Sequence, residues 1–119
     1  MKWATLLSDL NESLEHKKLR SRIQRLVNKW QPILGVSVDW DLRKMKMYWG
    51  SSNKATHHIT FNTELAKLPP RYIEYIVVHE LVHHRTDGHD QHFYDLMDKY
   101  LPGWRKMNAR IEEPLRRYS

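Results

Sequence analysis

Residues 69–83 read Pro-Pro-Arg-Tyr-Ile-Glu-Tyr-Ile-Val-Val-His-Glu-Leu-Val-His, and this stretch decides the fold. Apolar residues dominate this stretch over several helical turns, which predicts a helix that is largely buried. Pro70 suits the first turn of that helix, because a backbone donor is not needed there. We therefore predict a helix that begins at Pro70, runs to about Thr86 and is stopped by Gly88.

His79 and His83 are four residues apart on this predicted helix. Both imidazoles then project from one face, about one turn apart, and can bind a single tetrahedral ion. Glu80 lies along the edge of the same face, where it can reach a water on the metal without binding the metal itself. The pattern His-Glu-x-x-His thus predicts a zinc site with Glu80 as general acid and base.

A catalytic zinc ion needs a third protein ligand and an open fourth position. The chain must turn back after His83 to supply that ligand, and Gly88 permits the reversal. His89 is the preferred candidate because it lies at the junction of the turn and the next helix, from which a side chain can point back. His92, one turn further on, is the alternative. A structural site would instead be closed by a fourth ligand, for which the candidates are Asp87, Asp90 and His92.

Three further segments are predicted to be helical. Apolar residues at helical spacing indicate a helix from about Asp9 to Gln31, stopped by Pro32 and Gly35. A second predicted helix carries Phe93 on its apolar face and ends at Pro102-Gly103. The tail from Trp104 is predicted to be partly helical.

Three segments are predicted to be strands: Val36–Trp40, Lys44–Trp49 and His57–Asn62, with Gly50–Asn53 as a turn before the third. The third strand is expected to flank the cleft and, if it is at the sheet edge, to pair with a peptide substrate. The order predicts an α+β domain: an N-terminal helix, a three-stranded sheet, a helix with the His-Glu-x-x-His motif, and C-terminal helices. We expect a single domain over residues 1–119.

Composition narrows the class of protein. The chain has no cysteine, so a metal site must use histidines and carboxylates. No segment has the length of a membrane span or the core of a signal peptide, so we expect a cytoplasmic protein without a membrane partner. The net charge is +6 over residues 1–54, −3 over 55–104 and +3 over 105–119. The two basic arms could contact nucleic acid.

Five short motifs carry a resemblance to a known family. They are Tyr48–Ser52, Ile59–Asn62, Pro69–His83, Gly88–Tyr94 and Tyr100–Trp104. With these motifs, the segment from Lys44 to Trp104 resembles the YgjP-like metallopeptidases, within the SprT/Spartan and WLM-like clan of minimal zincins. The resemblance implies a zincin-like fold and a peptide or protein substrate. It also implies a single zinc ion bound by His79, His83 and His89, with Glu80 as the general acid and base.

The chain departs from the family pattern at three positions. Tyr48 stands where the family usually has arginine, Ser52 where it usually has cysteine, and His84 where an apolar residue is common. Relatives in the clan cleave proteins bound to DNA, so the basic arms could contact DNA or a DNA-bound protein.

Two hypotheses of function follow. The first is a zinc-dependent metallopeptidase that hydrolyses peptide bonds with a zinc-activated water. The alternative is a nucleic-acid-associated binding module with a structural zinc site and no hydrolytic activity. It predicts a closed four-ligand site and a DNA affinity that falls steeply with salt.

Overall fold

The computed structural model describes residues 2–111, with side chains from residue 14 onward. The ends of the predicted domain, residue 1 and residues 112–119, lie outside the described residues. The elements are α1 (Lys2–Leu34), β1 (Asp39–Arg43), β2 (Gly50–Asn53), β3 (His58–Asn62), a 3-10 turn (Thr63–Lys67), α2 (Pro70–His83), α3 (Gln91–Tyr100) and α4 (Trp104–Ile111). The predicted α+β order of one helix, three strands and further helices is confirmed.

The first helix is longer than the sequence suggested. It begins before Asp9 and continues through Pro32 to Leu34. Pro32 lies in the last turn of α1, so the hydrogen bond that it removes and the crowding by its ring affect only the end of the helix. Gly35 ends the helix instead, with φ of +68°. The next amide, Val36 N–H, donates to the Gln31 carbonyl at 3.1 Å, which closes the last turn as in a Schellman motif.

The sheet corrects two of the strand predictions. Lys44–Trp49 is a loop rather than a strand, and Gly50–Asn53, predicted as a turn, is β2. The buried side chain of Asn62 explains the loop. Its Nδ2 donates to the carbonyl oxygens of Met45 (3.0 Å) and Tyr48 (2.7 Å), so a side chain takes the bonds that a neighbouring strand would have made. The first strand also begins at Asp39 instead of Val36.

The strand order is β1-β3-β2, with β3 parallel to β1 and antiparallel to β2. The third strand is therefore central, and the expectation that it could pair with a substrate at the sheet edge is wrong. The register brings Gly50 opposite Phe61 and Ser52 opposite Ile59, so Gly50 and Ser52 share the face that carries the apolar core. The edge strand that contacts α2 is β2.

Helix α2 occupies the centre of the molecule. It packs against α1, β2, α3 and α4. Its apolar side chains are almost fully enclosed, among them Ile76, Val77, Val78, Leu81 and Val82. Each such side chain stabilises the fold by about 1.5–3 kcal/mol relative to exposure, so the position of α2 is fixed by the core on several sides.

The end of α2 lies three residues before the predicted one. Pro70 is in the first turn as expected, but the last helical residue is His83. Beyond it, the Thr86 hydroxyl lies 3.3 Å from the Val82 carbonyl oxygen and 3.1 Å from that of Gly88. Gly88 has φ of +76°, so the chain reverses there instead of extending the helix. Within residues 2–111, no helix is long and apolar enough to cross a membrane.

Candidate metal centre

Three imidazoles converge at the C-terminal end of α2. The Nε2 atoms of His79 and His83 are 3.1 Å apart, and the Nε2 atoms of His83 and His89 are also 3.1 Å apart. Zinc–nitrogen bonds of about 2.0–2.1 Å at tetrahedral angles place ligand nitrogens about 3.3 Å apart. The two distances from His83 are close to that value, and the ligand atoms of all three histidines lie within 4.8 Å of one another, so one shared ion is within their reach. In the part of the chain that the structure describes, this is the only group of three or more potential metal ligands.

The turn after α2 brings His89 to the other two histidines. Asp90 caps α3, its Oδ1 accepting from the Phe93 amide at 3.0 Å, which fixes where the new helix begins. On the other side of the turn, Lys54 Nζ donates to the Thr86 carbonyl at 2.6 Å and to Asp87 Oδ1 at 3.2 Å. His89 is thus held between an anchored turn and a capped helix.

The structure distinguishes between the candidates for a third and a fourth metal ligand that the sequence left open. His89 lies in the cluster, whereas His92 is exposed on the first turn of α3 and outside it. Asp87 is exposed and paired with Lys54, and Asp90 serves as the cap of α3. None of the fourth-ligand candidates therefore joins the three imidazoles in this arrangement.

The ring of Phe93 packs against all three imidazoles of the cluster. Its centroid lies 5.1 Å from that of His79, 5.0 Å from His83 and 4.5 Å from His89. Phe93 is 1% exposed, so it forms a fixed wall against which the three imidazoles pack. The sequence placed Phe93 on the apolar face of a helix and within the Gly88–Tyr94 motif of the family resemblance; its packing against all three rings follows from the turn at Gly88.

Glu80 is completely buried beside the cluster. Burial raises the pKa of its carboxyl to about 8, against the opposing effect of a hydrogen bond from Ser52. Oε1 accepts from Ser52 Oγ at 2.7 Å. The other oxygen, Oε2, lies 4.0 Å from His79 Nε2 and has no hydrogen-bond partner in the structure. The oxygen without a partner is therefore the one that lies within 4.0 Å of a cluster histidine, His79.

A cleft opens over this centre. It is a cavity of about 500 Å³ lined by Ser52, Lys54, His83, Gly88 and His89. Apart from its two histidines, Lys54 is the only ionisable side chain among these residues. A small molecule or an extended peptide entering the cleft therefore meets the imidazoles of His83 and His89 directly.

Sequence reasoning missed the contribution of β2. Gly50 and Ser52 were assigned to a turn, yet both lie against Glu80. The available signal was the Tyr48–Ser52 motif, one of those that carried the family resemblance.

The remaining histidines lie outside the cluster. His58 Nε2 lies 2.8 Å from Asp41 Oδ1 on the outer face of the sheet. His84 is half-buried, and its ring is 6.3 Å from that of His57. His57 precedes β3 with φ of +53°.

Comparisons with known proteins identify a matching family and similar solved structures. The sequence profile of a family described as "YgjP-like, metallopeptidase domain" matches residues 5–113. No curated protein sequence matches the chain. The crystal structure of the metallopeptidase zymogen abylysin from Pyrococcus abyssi is similar, with 27% identity and a TM-score of 0.71 over 80% of this chain and 96% of that one.

A second solved structure shares the fold. It is the metallopeptidase zymogen jannalysin from Methanocaldococcus jannaschii, with 21% identity and a TM-score of 0.68 over 78% of this chain and 96% of that one. The predicted minimal metallopeptidase fold is confirmed.

Proposed function

We propose, from the premise that this chain belongs to the YgjP-like metallopeptidase family, that it hydrolyses peptide bonds with one zinc ion bound by His79, His83 and His89. Family membership makes the chain a metallopeptidase that acts on peptides or proteins, as the sequence predicted. The zinc ion, its three ligands and the role of Glu80 as general acid and base are the proposal.

The convergence of three imidazole nitrogens carries this proposal: His83 Nε2 lies 3.1 Å from Nε2 of both His79 and His89, and the ligand atoms of all three lie within 4.8 Å of one another. Three neutral imidazoles are a donor set that suits zinc, and three protein ligands leave a position open for water or substrate. Two of the three imidazoles come from a helix whose position is fixed by the core, so the set is organised before the ion arrives. The described residues offer one such set, which supports one ion per chain.

Glu80 is placed to move the proton. A zinc ion at this site would supply Lewis acidity, lowering the pKa of water and polarising the carbonyl of the scissile bond. The unpartnered Oε2 lies 4.0 Å from His79 Nε2 and can accept the proton of the attacking water. The same carboxyl can then deliver that proton to the leaving amine.

The outer edge of β2 is proposed to bind the substrate backbone. Asn62 N–H donates to the Trp49 carbonyl oxygen at 3.0 Å. The alternation of an antiparallel ladder then directs the backbone groups of Gly50 and Ser52 away from β3. An extended peptide that pairs with these groups would lie along the cleft, as an added strand. This gives β2 the role that the sequence had assigned to the third strand.

Turnover by a matched pair of variants tests the mechanism. Zinc-loaded parent protein and Glu80→Gln are compared on casein and on a quenched-fluorescence peptide library. We expect parent activity and, in Glu80→Gln with full zinc content, a loss of roughly a hundredfold or more. Glu64→Gln is the control, because Glu64 pairs with Lys67 on the surface far from the cleft. Retained cleavage by pure Glu80→Gln would exclude Glu80 as the base.

Contact with DNA or a DNA-bound protein through the basic arms stays a prediction. The same preparations can be titrated with duplex DNA at several salt concentrations. Tight, steeply salt-dependent binding by a zinc-loaded protein that cleaves no peptide would support the alternative, a binding module with structural zinc.

A further inference from the structure

We propose that Ser52 is a positioning residue for Glu80, and that Gly50 leaves the room in which Glu80 is held, so that β2 orients the general base. This inference rests on the proposed function, since it concerns the same carboxylate. It adds two residues to the site that neither the motif nor the metal ligands require.

The hydrogen bond from Ser52 fixes one carboxylate oxygen. Its Oγ lies 2.7 Å from Glu80 Oε1 and 3.1 Å from the Glu80 backbone carbonyl oxygen. A hydroxyl has one proton, and the shorter contact to the carboxylate takes it. Among the described residues, Ser52 is the only side chain that hydrogen-bonds this carboxylate. With Oε1 occupied, Oε2 is the oxygen left on the side of His79, 4.0 Å from its Nε2.

Gly50 determines how closely β2 approaches Glu80. A Cβ added at Gly50 would lie 3.0 Å from Glu80 Cγ, 3.2 Å from Oε2 and 3.3 Å from Cδ. Cγ cannot yield easily, because Glu80 is fully buried and its backbone belongs to α2. A glycine in a strand often marks such a close approach. Any larger residue at position 50 would press on the carboxylate from the side of Oε2.

The two contacts act on different parts of the same side chain. The hydrogen bond from Ser52 holds Oε1 close to β2. The absence of a side chain at Gly50 lets Cγ and Oε2 approach the backbone of the strand. A buried carboxylate without its donor is free to rotate or to seek another partner, and general-base catalysis depends on the placement of the accepting oxygen. Zinc binding needs neither contact, because the three imidazoles are held by α2 and the turn at Gly88.

The test separates positioning from a purely structural role. Ser52→Ala removes the donor and Ser52→Thr keeps a hydroxyl on the same carbon; Ser51→Ala is the matched control on the opposite face of β2. In zinc-loaded protein we expect kcat of Ser52→Ala to fall roughly tenfold to a hundredfold, with KM and zinc affinity within about twofold of the parent. Ser52→Thr should recover most of the loss, and Ser51→Ala should match the parent. An unchanged kcat in Ser52→Ala overturns the proposal.

A second variant covers the case in which Ser52→Ala misfolds. Gly50→Ala retains the donor and adds only the methyl group that presses on Glu80; it is expected to lose kcat at full zinc content. Parent-like kcat in folded Gly50→Ala overturns the role of Gly50. If Ser52→Ala and Gly50→Ala lose zinc in proportion to activity, β2 supports the metal centre rather than the base, and the proposal also fails. If Glu80→Gln loses activity but Ser52→Ala and Gly50→Ala do not, the proposed function stands and this inference fails.

Discussion

Replacing Glu80 with glutamine is expected to remove a pH dependence from the stability of the metal-free protein. The carboxyl is fully buried, and its pKa is raised from 4.5 to about 8 by that burial. Between these two values the folded protein keeps a proton on Glu80 that the unfolded chain releases. Folding is therefore favoured at the acidic end of this window and opposed at the alkaline end.

The size of the effect follows from the two pKa values. One extra proton bound in the folded state lowers the free energy of unfolding by about 1.4 kcal/mol for each pH unit. Across the window from 4.5 to about 8, the parent should lose about 4–5 kcal/mol from this group alone. Glutamine can still accept from Ser52 but binds no proton, so Glu80→Gln should lack this loss.

Urea unfolding in the presence of EDTA measures this pH dependence of the free energy of unfolding. Parent and Glu80→Gln are unfolded at pH 5, 6, 7 and 8, and the difference in free energy of unfolding is plotted against pH. The difference should shift in favour of Glu80→Gln by several kcal/mol between pH 5 and pH 8. Titration of groups that do not interact with Glu80 cancels in the difference. Glu64→Gln, with a lowered pKa that lies below this range, should give a flat difference. A flat difference for Glu80→Gln would refute the reasoning.

Three further predictions concern the ligands, the wall of the site and the sheet. His89→Ala should weaken zinc binding by at least a hundredfold in competition with a chelator, whereas His92→Ala should not; the reverse result would exchange their roles. Phe93→Ala should cost about 3–5 kcal/mol in urea unfolding and weaken zinc binding, because Phe93 is buried against all three imidazoles. Burial would raise the pKa of Asp41, but hydrogen bonds from His58, Arg43 and Thr60 outweigh it and lower the pKa to about 2. Asp41→Asn should then cost about 1 kcal/mol at pH 7, after allowance for solvent screening, and this cost should disappear as the pH falls from about 4 through 2; a cost that persists at pH 2 would contradict it.

The parts of the structure that the sequence predicted well are local. Apolar spacing and Pro70 located α2, and the separation of four residues placed His79 and His83 on one face. The preference for His89 over His92 came from the turn at Gly88, and the structure brings His89 into the cluster. Each of these inferences needs only a few neighbouring residues.

The parts that escaped prediction depend on distant contacts. Gly50-Ser51-Ser52-Asn53 has the composition of a turn, and it is a strand because it pairs with β3 and packs against Glu80. Lys44–Trp49 has the alternation of a strand, and it is a loop because the distant side chain of Asn62 holds its backbone. The strand order likewise cannot be read from any one segment. The sequence therefore pointed to the three clustered histidines but not to the strand that flanks them.

A crystal structure of the zinc-loaded protein, with anomalous data collected at the zinc edge, tests the central claim most directly. We expect one ion per chain, bonded to Nε2 of His79, His83 and His89 at about 2.0–2.1 Å, with the fourth position held by water within hydrogen-bond distance of Glu80. An ion bonded elsewhere, or a site closed by a fourth protein side chain, would contradict the account.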